Sequence, residues 1–228
     1  MKPPSDFNPL PIQDNHMCFA CGPANPAGLK MRFFANQDSV VSWLTVPDHL
    51  RGWNMLVHGG VTSTILDEIM SWAAIHLLKT IILTKSMRVE FKKPVFIGQP
   101  LRAVGRVVEI KNEREAVMEG LLYGPEDDVC AEARGIFALL KPKVARKLGI
   151  VDEQALRDLL PEDEIRSAEE CNGPVAIIRS PAKNNYTSCL FYGSSTTVHP
   201  PTRISIFAGG CVMYTSHNTA QSCAVYYK

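Results

Sequence analysis

The last 58 residues of the chain contain no carboxylate side chain, because all 23 acidic residues lie at or before Glu170. Residues 1–170 carry 20 basic against 23 acidic groups, a net charge of −3, and residues 171–228 carry four basic groups, +4. A natural protein surface normally mixes charges of both signs. Residues 171–228 also show no repeat or known motif. We therefore expect a weakly ordered extension there, with a small β-rich addition as the alternative.

Long apolar runs are missing as well. No segment reaches the roughly 20 continuous apolar residues that a membrane-spanning helix needs, and the N-terminal sequence MKPPSDFNPLPIQDNH lacks the apolar core of an export signal. A formal net charge of +1 favours neither nucleic acid nor an anionic membrane as partner. Seven cysteines, an odd number, indicate free thiols and not a disulfide framework. These absences predict a cytoplasmic protein without nucleic-acid or membrane partners.

One long helix stands out in the hydrophobic pattern. Residues 1–28 are rich in proline and glycine and should be irregular, and residues 29–46 contain one or two strands. From about Gly60 to about Lys79, apolar residues recur every four positions, which predicts a helix buried on most sides.

After the helix the period of the pattern becomes two. Met87, Val89 and Phe91 should point to one side of a strand over Thr84–Lys93, and Thr84 should point to the other with the polar residues. Three more strands follow at Leu101–Ile110, Ala116–Tyr123 and Cys130–Leu140. This order predicts an α+β domain, with a curved antiparallel sheet wrapped around one central helix. We assign the domain to residues 1–145, a linker with a short helix at Asp152–Leu160 to 146–170, and the extension to 171–228.

The segment HGGVTSTILDEIMSW, from His58 to Trp72, combines several chemical features at the start of the helix. Glycines at a helix entry allow a ligand to approach the backbone, and the first helical amides have no internal partners. Asp67 lies deep in the apolar helix and needs a compensating partner, for which Ser71 is four residues away. Separately, such a histidine is commonly a turn residue and such an aspartate a cap or ion-pair partner. Together they match acyl transfer, with an oxyanion site and a carboxylate.

The chain also resembles a known family, the hotdog-fold acyl-CoA thioesterases, in the branch of the phenylacetyl-CoA and 4-hydroxybenzoyl-CoA enzymes. The resemblance rests on HGGVTSTILDE, on CFACGPANPAGLKM (Cys18–Met31), on RGWNMLVHGG, on VEFKKPVFIGQPLRAVGRVVE and on AEARGIFALL. It covers about residues 15–142. It implies a hotdog fold and hydrolysis of an acyl-CoA or acyl-carrier thioester, without specifying the acyl group.

Carried over by position, the resemblance implies a role for each residue of the motif. The Gly59 amide would polarise the thioester carbonyl, Asp67 would be the nucleophile or general base, and His58 would orient the substrate or the loop. In the family the glycine and the aspartate come from opposite subunits, so a homodimer is implied, often paired into a tetramer. Supporting positions are Gly60, Ser71, Thr84 and Asn54.

One position departs from the family pattern. Some relatives carry Asn or Gln six residues before the motif histidine to position water, where this chain has Gly52; Asn54 is near but out of register. The departure leaves a non-catalytic acyl-CoA sensor as an alternative to the hydrolase. A hydratase or dehydratase is a third possibility, which the His–Asp spacing favours less.

Ligand sites outside the motif are less distinct. Arg88, Lys92 and Lys93 are candidates for contacts with the phosphates of coenzyme A, with a solvated strand face as the competing interpretation. Cys18 and Cys21, with His16, suggest zinc, but no second pair of ligands is evident in the sequence, so we predict no metal and no cofactor.

Overall fold

The computed structural model describes residues 5–151 and 153–160, and the backbone of four short strands between residues 175 and 214. The chain forms two compact units, Met1–Glu170 and Cys171–Lys228. None of the helices within the described residues has both the length and the apolar character needed to cross a bilayer.

The first unit contains the predicted succession of strand, long helix and four strands. Its elements are β1 (Asn8–Pro9), β2 (Phe34–Ala35), β3 (Val40–Thr45), a 3-10 turn (Asp48–Leu50), α1 (Gly59–Leu78), β4 (Ile81–Phe91), β5 (Pro100–Asn112), β6 (Glu115–Tyr123), β7 (Val129–Leu140), α2 (Pro142–Lys147) and α3 (Glu153–Leu159). Each predicted element lies within a few residues of its observed bounds. The short helix α2 was not predicted, and it begins with Pro142 at its first turn, where proline is tolerated.

Seven strands form one antiparallel sheet in the order β1-β2-β3-β5-β6-β7-β4. The chain leaves β3, passes through α1 to β4 at the far edge, and returns to β5 beside β3. The helix packs against β3, β4, β5, β6 and β7. A single long helix against an antiparallel sheet is the predicted hotdog arrangement.

The helix lies very close to the middle of the sheet. On β5, a methyl group added at Gly105 would overlap the carbonyl oxygen of Ile69, so only glycine fits there. The side of α1 that faces the sheet is mainly apolar: Ile65, Leu66, Ile69 and Met70 have no exposed surface. On the outer side, Trp72 stacks on Phe33 with ring centroids 4.7 Å apart. Burial on most sides of α1 is thus confirmed.

A β-bulge in β4 corrects the predicted alternation. Thr84 pairs with Phe137, but Ser86 pairs with Ile136, so Lys85 is an extra residue on β4. Phe137 is fully buried on the helix side of the sheet, and cross-strand partners share a face. The prediction that Thr84 points away from Met87 was therefore wrong, because the bulge shifts the alternation by one residue.

The end of the first unit packs as a small separate cluster. Leu156 and Leu160 are buried against Ile81 and Ala145. The predicted helix at Asp152–Leu160 is confirmed as α3, and these leucines attach it to the start of β4.

The second unit contains two antiparallel strand pairs. β8 (Val175–Ile178) pairs with β9 (Cys189–Tyr192), and β10 (Ile204–Ile206) pairs with β11 (Val212–Tyr214). The prediction of weak order for residues 171–228 falls mainly on positions outside the described residues and stays a prediction.

Candidate active site

The loop before α1 folds back on itself to deliver the motif histidine. The Gly52 amide donates to the Leu56 carbonyl at 2.7 Å, and the His58 amide donates to the Leu50 carbonyl at 3.3 Å. A Cβ at Gly52 would lie only 3.1 Å from the Cα of His58. The glycine that departs from the family pattern therefore lies against the backbone of His58. Asn54 is exposed near the tip of this loop in the left-handed conformation, at φ 47°.

His58 is the N-cap of α1. Its Nδ1 accepts a hydrogen bond from the Gly60 amide at 3.0 Å, and its carbonyl accepts from Val61 and Thr62. Within the described part of the chain, no group accepts from the Gly59 amide, and Gly59 is exposed. Of the two motif glycines, Gly60 is engaged by the cap, and Gly59 keeps an N–H group for a ligand at the positive end of the helix dipole.

An exposed aromatic side chain lies beside this free amide. The ring of Phe91 would lie 3.7 Å from a Cβ on Gly59, and 58% of Phe91 is exposed. Trp53, Met55 and Phe96, from the neighbouring loops, are exposed as well. Solvent-exposed aromatic groups at a helix start form a surface suited to an apolar ligand or to a partner subunit.

Asp67 lies two turns further along α1 and is half-buried. The hydroxyl of Thr84 donates to its Oδ1 at 2.8 Å. Burial raises the pKa of Asp67 above its usual value, and the hydrogen bond from Thr84 offsets part of that rise. Among the described residues no hydrogen bond joins Asp67 to Ser71, so the compensating partner comes from β4 and not from the next turn of the helix.

Gly59 and Asp67 of one chain are too far apart to act on one carbonyl group. Eight residues separate them on a continuous helix, which corresponds to about 12 Å along the axis. A reacting atom must lie roughly 3 Å from both the donor and the carboxylate. The two groups can meet on one substrate only if they come from different chains.

Glu68, next in sequence, lies on another side of α1. Its Oε1 accepts a hydrogen bond from Trp72 Nε1 at 3.1 Å and lies 3.9 Å from the Sγ of Cys18. Burial raises the pKa of Glu68 to about 7. Its contact with Cys18 spans 50 residues of sequence, and helical periodicity gives no signal for such a contact.

Cys18 and Cys21 lie together beside Glu68, and the three described cysteines are free thiols, as predicted. A hydrogen bond from Cys21 lowers the pKa of Cys18 to about 5, with help from the backbone amides of Cys21 and Ala20. The same pairing and burial raise the pKa of Cys21. In this hydrogen bond the Cys21 thiol is thus the donor and the Cys18 sulfur the acceptor.

The three basic residues suggested for coenzyme A all have acidic partners. Arg88 pairs with Glu90 at 3.0 Å, Lys92 with Glu132 at 2.9 Å and Lys93 with Asp128 at 2.9 Å. A phosphate group would have to compete with these carboxylates. Their assignment to coenzyme A stays a prediction.

Residues 54–134 match the family model described as Thioesterase superfamily, in agreement with the resemblance found in the sequence. No curated protein shows significant similarity to the chain.

Three solved structures illustrate the similarity. A thioesterase superfamily protein has a TM-score of 0.48 and 22% identity, over 51% of this chain and 57% of its own. The PaaI protein of the Escherichia coli phenylacetic acid degradation operon has a TM-score of 0.45 and 18% identity, over 49% and 80%. The Streptococcus mutans protein smu.793, bound to acetyl-CoA, has a TM-score of 0.45 and 18% identity, over 48% and 88%. The chain thus spans little more than half the length of the first of these.

Proposed function

We propose, from the match of residues 54–134 to the thioesterase superfamily model, that the chain hydrolyses an acyl-CoA or acyl-carrier thioester to the free acid and thiol. The observation that carries the proposal is the unpartnered Gly59 amide at the start of the same helix that holds Asp67. The Gly59 amide is suited to donate a hydrogen bond to the oxygen of a thioester, and the Asp67 carboxylate is suited to activate water.

In the proposed reaction, the thioester oxygen accepts a hydrogen bond from the Gly59 amide, which polarises the carbonyl. As a general base, Asp67 takes a proton from water while the water oxygen attacks the carbonyl carbon. The C–S bond then breaks, the thiolate leaves, and the proton returns from Asp67 to the sulfur. As a nucleophile, Asp67 instead forms an anhydride that water hydrolyses. A preorganised donor of this kind contributes on the order of 3 kcal/mol to lowering the barrier.

The environment of Asp67 supports either role. A carboxylate with a raised pKa is a better proton acceptor than an ordinary aspartate. The Thr84 hydroxyl holds one oxygen of the carboxylate in place, and the other oxygen accepts no hydrogen bond from the described residues and is available to water. Thr84 is thus proposed as a positioning residue, in line with its supporting role in the family.

The active unit is proposed to be a homodimer, because one chain cannot bring Gly59 and Asp67 together. Two features support this assembly. β4 lies at the end of the sheet and pairs only with β7 in the described residues, which leaves one edge open. Phe91, beside Gly59, and Trp53, on the loop before α1, are exposed aromatic groups that a partner or the acyl group would cover. Pairing of two dimers into a tetramer follows from the resemblance alone.

The decisive experiment is a panel of acyl-CoA substrates with release of free thiol as the readout, on wild type and Asp67→Ala. We expect turnover of at least one substrate by wild type and its loss in the variant. Asp38→Asn is the matched control, since Asp38 is an exposed aspartate on the β2–β3 turn, and it should keep full activity.

Two results would contradict the proposal. Equal hydrolysis by wild type and Asp67→Ala removes Asp67 from the mechanism. Stabilisation of wild type by acyl-CoA without any turnover indicates the sensor alternative. A single turnover in ¹⁸O-water then distinguishes the two roles of Asp67, because a nucleophilic carboxylate directs the first labelled oxygen into the protein and a general base directs it into the product.

A further inference from the structure

We propose that His16, Cys18, Cys21 and Glu68 form a binding site for one zinc ion, separate from the thioesterase site. The ligand atoms of His16, Cys18 and Cys21 all lie within 4.8 Å of one another. In a tetrahedral zinc site with typical bond lengths, neighbouring donor atoms are about 3.3–3.8 Å apart. Small side-chain movements therefore suffice to close three donors around one ion.

Glu68 supplies the fourth donor, which the sequence did not reveal. Its Oε1 lies 3.9 Å from the Sγ of Cys18, although 50 residues separate the two in the chain. The same oxygen accepts from Trp72 Nε1 at 3.1 Å. A hydrogen bond of this kind fixes the orientation of a metal-ligating carboxylate.

The backbone around the cysteines is shaped to bring both thiols to one point. The Gly22 amide donates to the Cys18 carbonyl at 2.9 Å, and the Ala24 amide donates to the His16 carbonyl at 3.2 Å. A Cβ at Gly22 would overlap the backbone of His16 and Cys18, so this tight turn requires glycine. The backbone amides of Cys21 and Ala20 help to lower the pKa of Cys18, which favours a thiolate ligand.

The donor set selects the metal by its chemistry. Two thiolates and an imidazole are ligands that zinc prefers, whereas calcium and magnesium prefer oxygen atoms alone. On binding, the Cys21 thiol proton and the proton shared between Cys18 and Glu68 pass to solvent, and the ion takes their place. Zn²⁺ with two thiolates, one carboxylate and a neutral imidazole leaves a net charge of −1 at the site. This proposal replaces the expectation of a metal-free protein.

The role of the ion would be structural. Cys21 and Ala20 are buried at 2% exposure each, and the segment that carries them has no helix or long strand of its own. A shared ion would tie this irregular segment to a side of α1 different from the one that carries Asp67. Binding energy of a structural metal contributes directly to folding stability.

The test uses the full chain, stripped with a chelator and then titrated with Co²⁺, a spectroscopic substitute for zinc. We expect one Co²⁺ per chain, with visible bands of tetrahedral geometry and sulfur-to-metal charge transfer in the near ultraviolet. Zinc should bleach these bands and raise the melting temperature. Neither readout depends on thioesterase activity, so failure here leaves the proposed hydrolysis intact.

Variants identify the ligands. His16→Gln changes an exposed side chain and should fold normally while weakening Co²⁺ binding at least tenfold. Cys18→Ser should abolish the charge-transfer intensity of Cys18, and Glu68→Gln should shift the visible bands. Cys130→Ser and His49→Gln are the matched controls, a buried cysteine and an exposed histidine outside the cluster.

Three outcomes would overturn the proposal. The first is that Co²⁺ produces no tetrahedral spectrum. The second is that Cys18→Ser and His16→Gln bind Co²⁺ as wild type does, which would assign the metal to other cysteines of the chain. The third is that Cys18 and Cys21 form a disulfide under the reducing conditions of the titration.

Discussion

Asp67 and Glu68 are adjacent acidic residues on one helix, yet their surroundings have little in common. Asp67 faces β4, where a threonine hydroxyl is its partner and solvent reaches one side. Glu68 is turned about 100° around the axis, towards Trp72 and the thiols of the N-terminal segment. The raised pKa of each has burial as its main cause. The position of each acid along α1 therefore sets the side of the helix that it faces, and the segment packed against that side supplies its hydrogen-bonding partners.

The comparison is tested most strongly by neutralising each acid in turn. Asp67→Asn should lower kcat/KM about 10²–10⁴-fold, the usual contribution of a positioned acid–base group. Its melting temperature should stay equal or rise, because the half-buried site disfavours the ionised carboxyl. Glu68→Gln should keep kcat/KM within a few-fold. Steady-state kinetics and thermal unfolding of the two variants measure these effects. Similar losses of kcat/KM in both variants would mean that Asp67 and Glu68 do not have separate roles.

The start of the helix allows a test of the proposed oxyanion donor. Gly59 is the first helical residue, and His58 before it is extended at φ −60°, ψ 134°, a conformation that the residue before proline adopts. Gly59→Pro removes the N–H group and should lower kcat about 10²–10³-fold. Gly59→Ala keeps the N–H group and meets Phe91 at an ordinary contact distance of 3.7 Å.

Gly59→Ala should thus lose far less activity than Gly59→Pro. Circular dichroism and thermal unfolding verify that both variants are folded. Equal kcat in the two variants would exclude the Gly59 amide as the donor.

A third side of α1 faces the sheet, and substitutions at this contact should change the stability of the protein. Gly105→Ala would push a methyl group into the Ile69 carbonyl, and overpacking of this kind costs roughly 1–3 kcal/mol. Chemical denaturation measures the free energy of unfolding. Gly59→Ala serves as the reference glycine, with a change near zero, and an equal stability of both variants would show that α1 can move away from β5.

The smallest expected effect concerns the pH dependence. Since Asp67 must be ionised to act, kcat/KM should fall with decreasing pH through a pKa above the usual aspartate value. The Thr84 hydroxyl lowers that pKa, so Thr84→Val should move the acid limb to higher pH, and Thr84→Ser should leave it in place. An acid limb at the same pH in the valine variant would mean that Thr84 does not act through Asp67.

The fold was largely predictable because its signals are local. Apolar residues at every fourth position located α1 and placed its start within a residue of Gly59. Contacts from distant segments were not predictable. The contact of Glu68 with the irregular segment around Cys18 is one example. Phe91, predicted on the same side as Met87 and Val89, is 58% exposed because it lies at the end of an edge strand beside Gly59.

Lys85 interacts with neither Asp67 nor the free amide, yet the chemistry depends on its presence. Its position as the supernumerary residue of β4 turns Ile82 and Thr84 to the side of Leu139 and Phe137. Deleting Lys85 would restore strict alternation and rotate one half of the strand to the opposite face. This one deletion would keep every proposed catalytic group in the chain, but it would leave Asp67 without its hydroxyl partner.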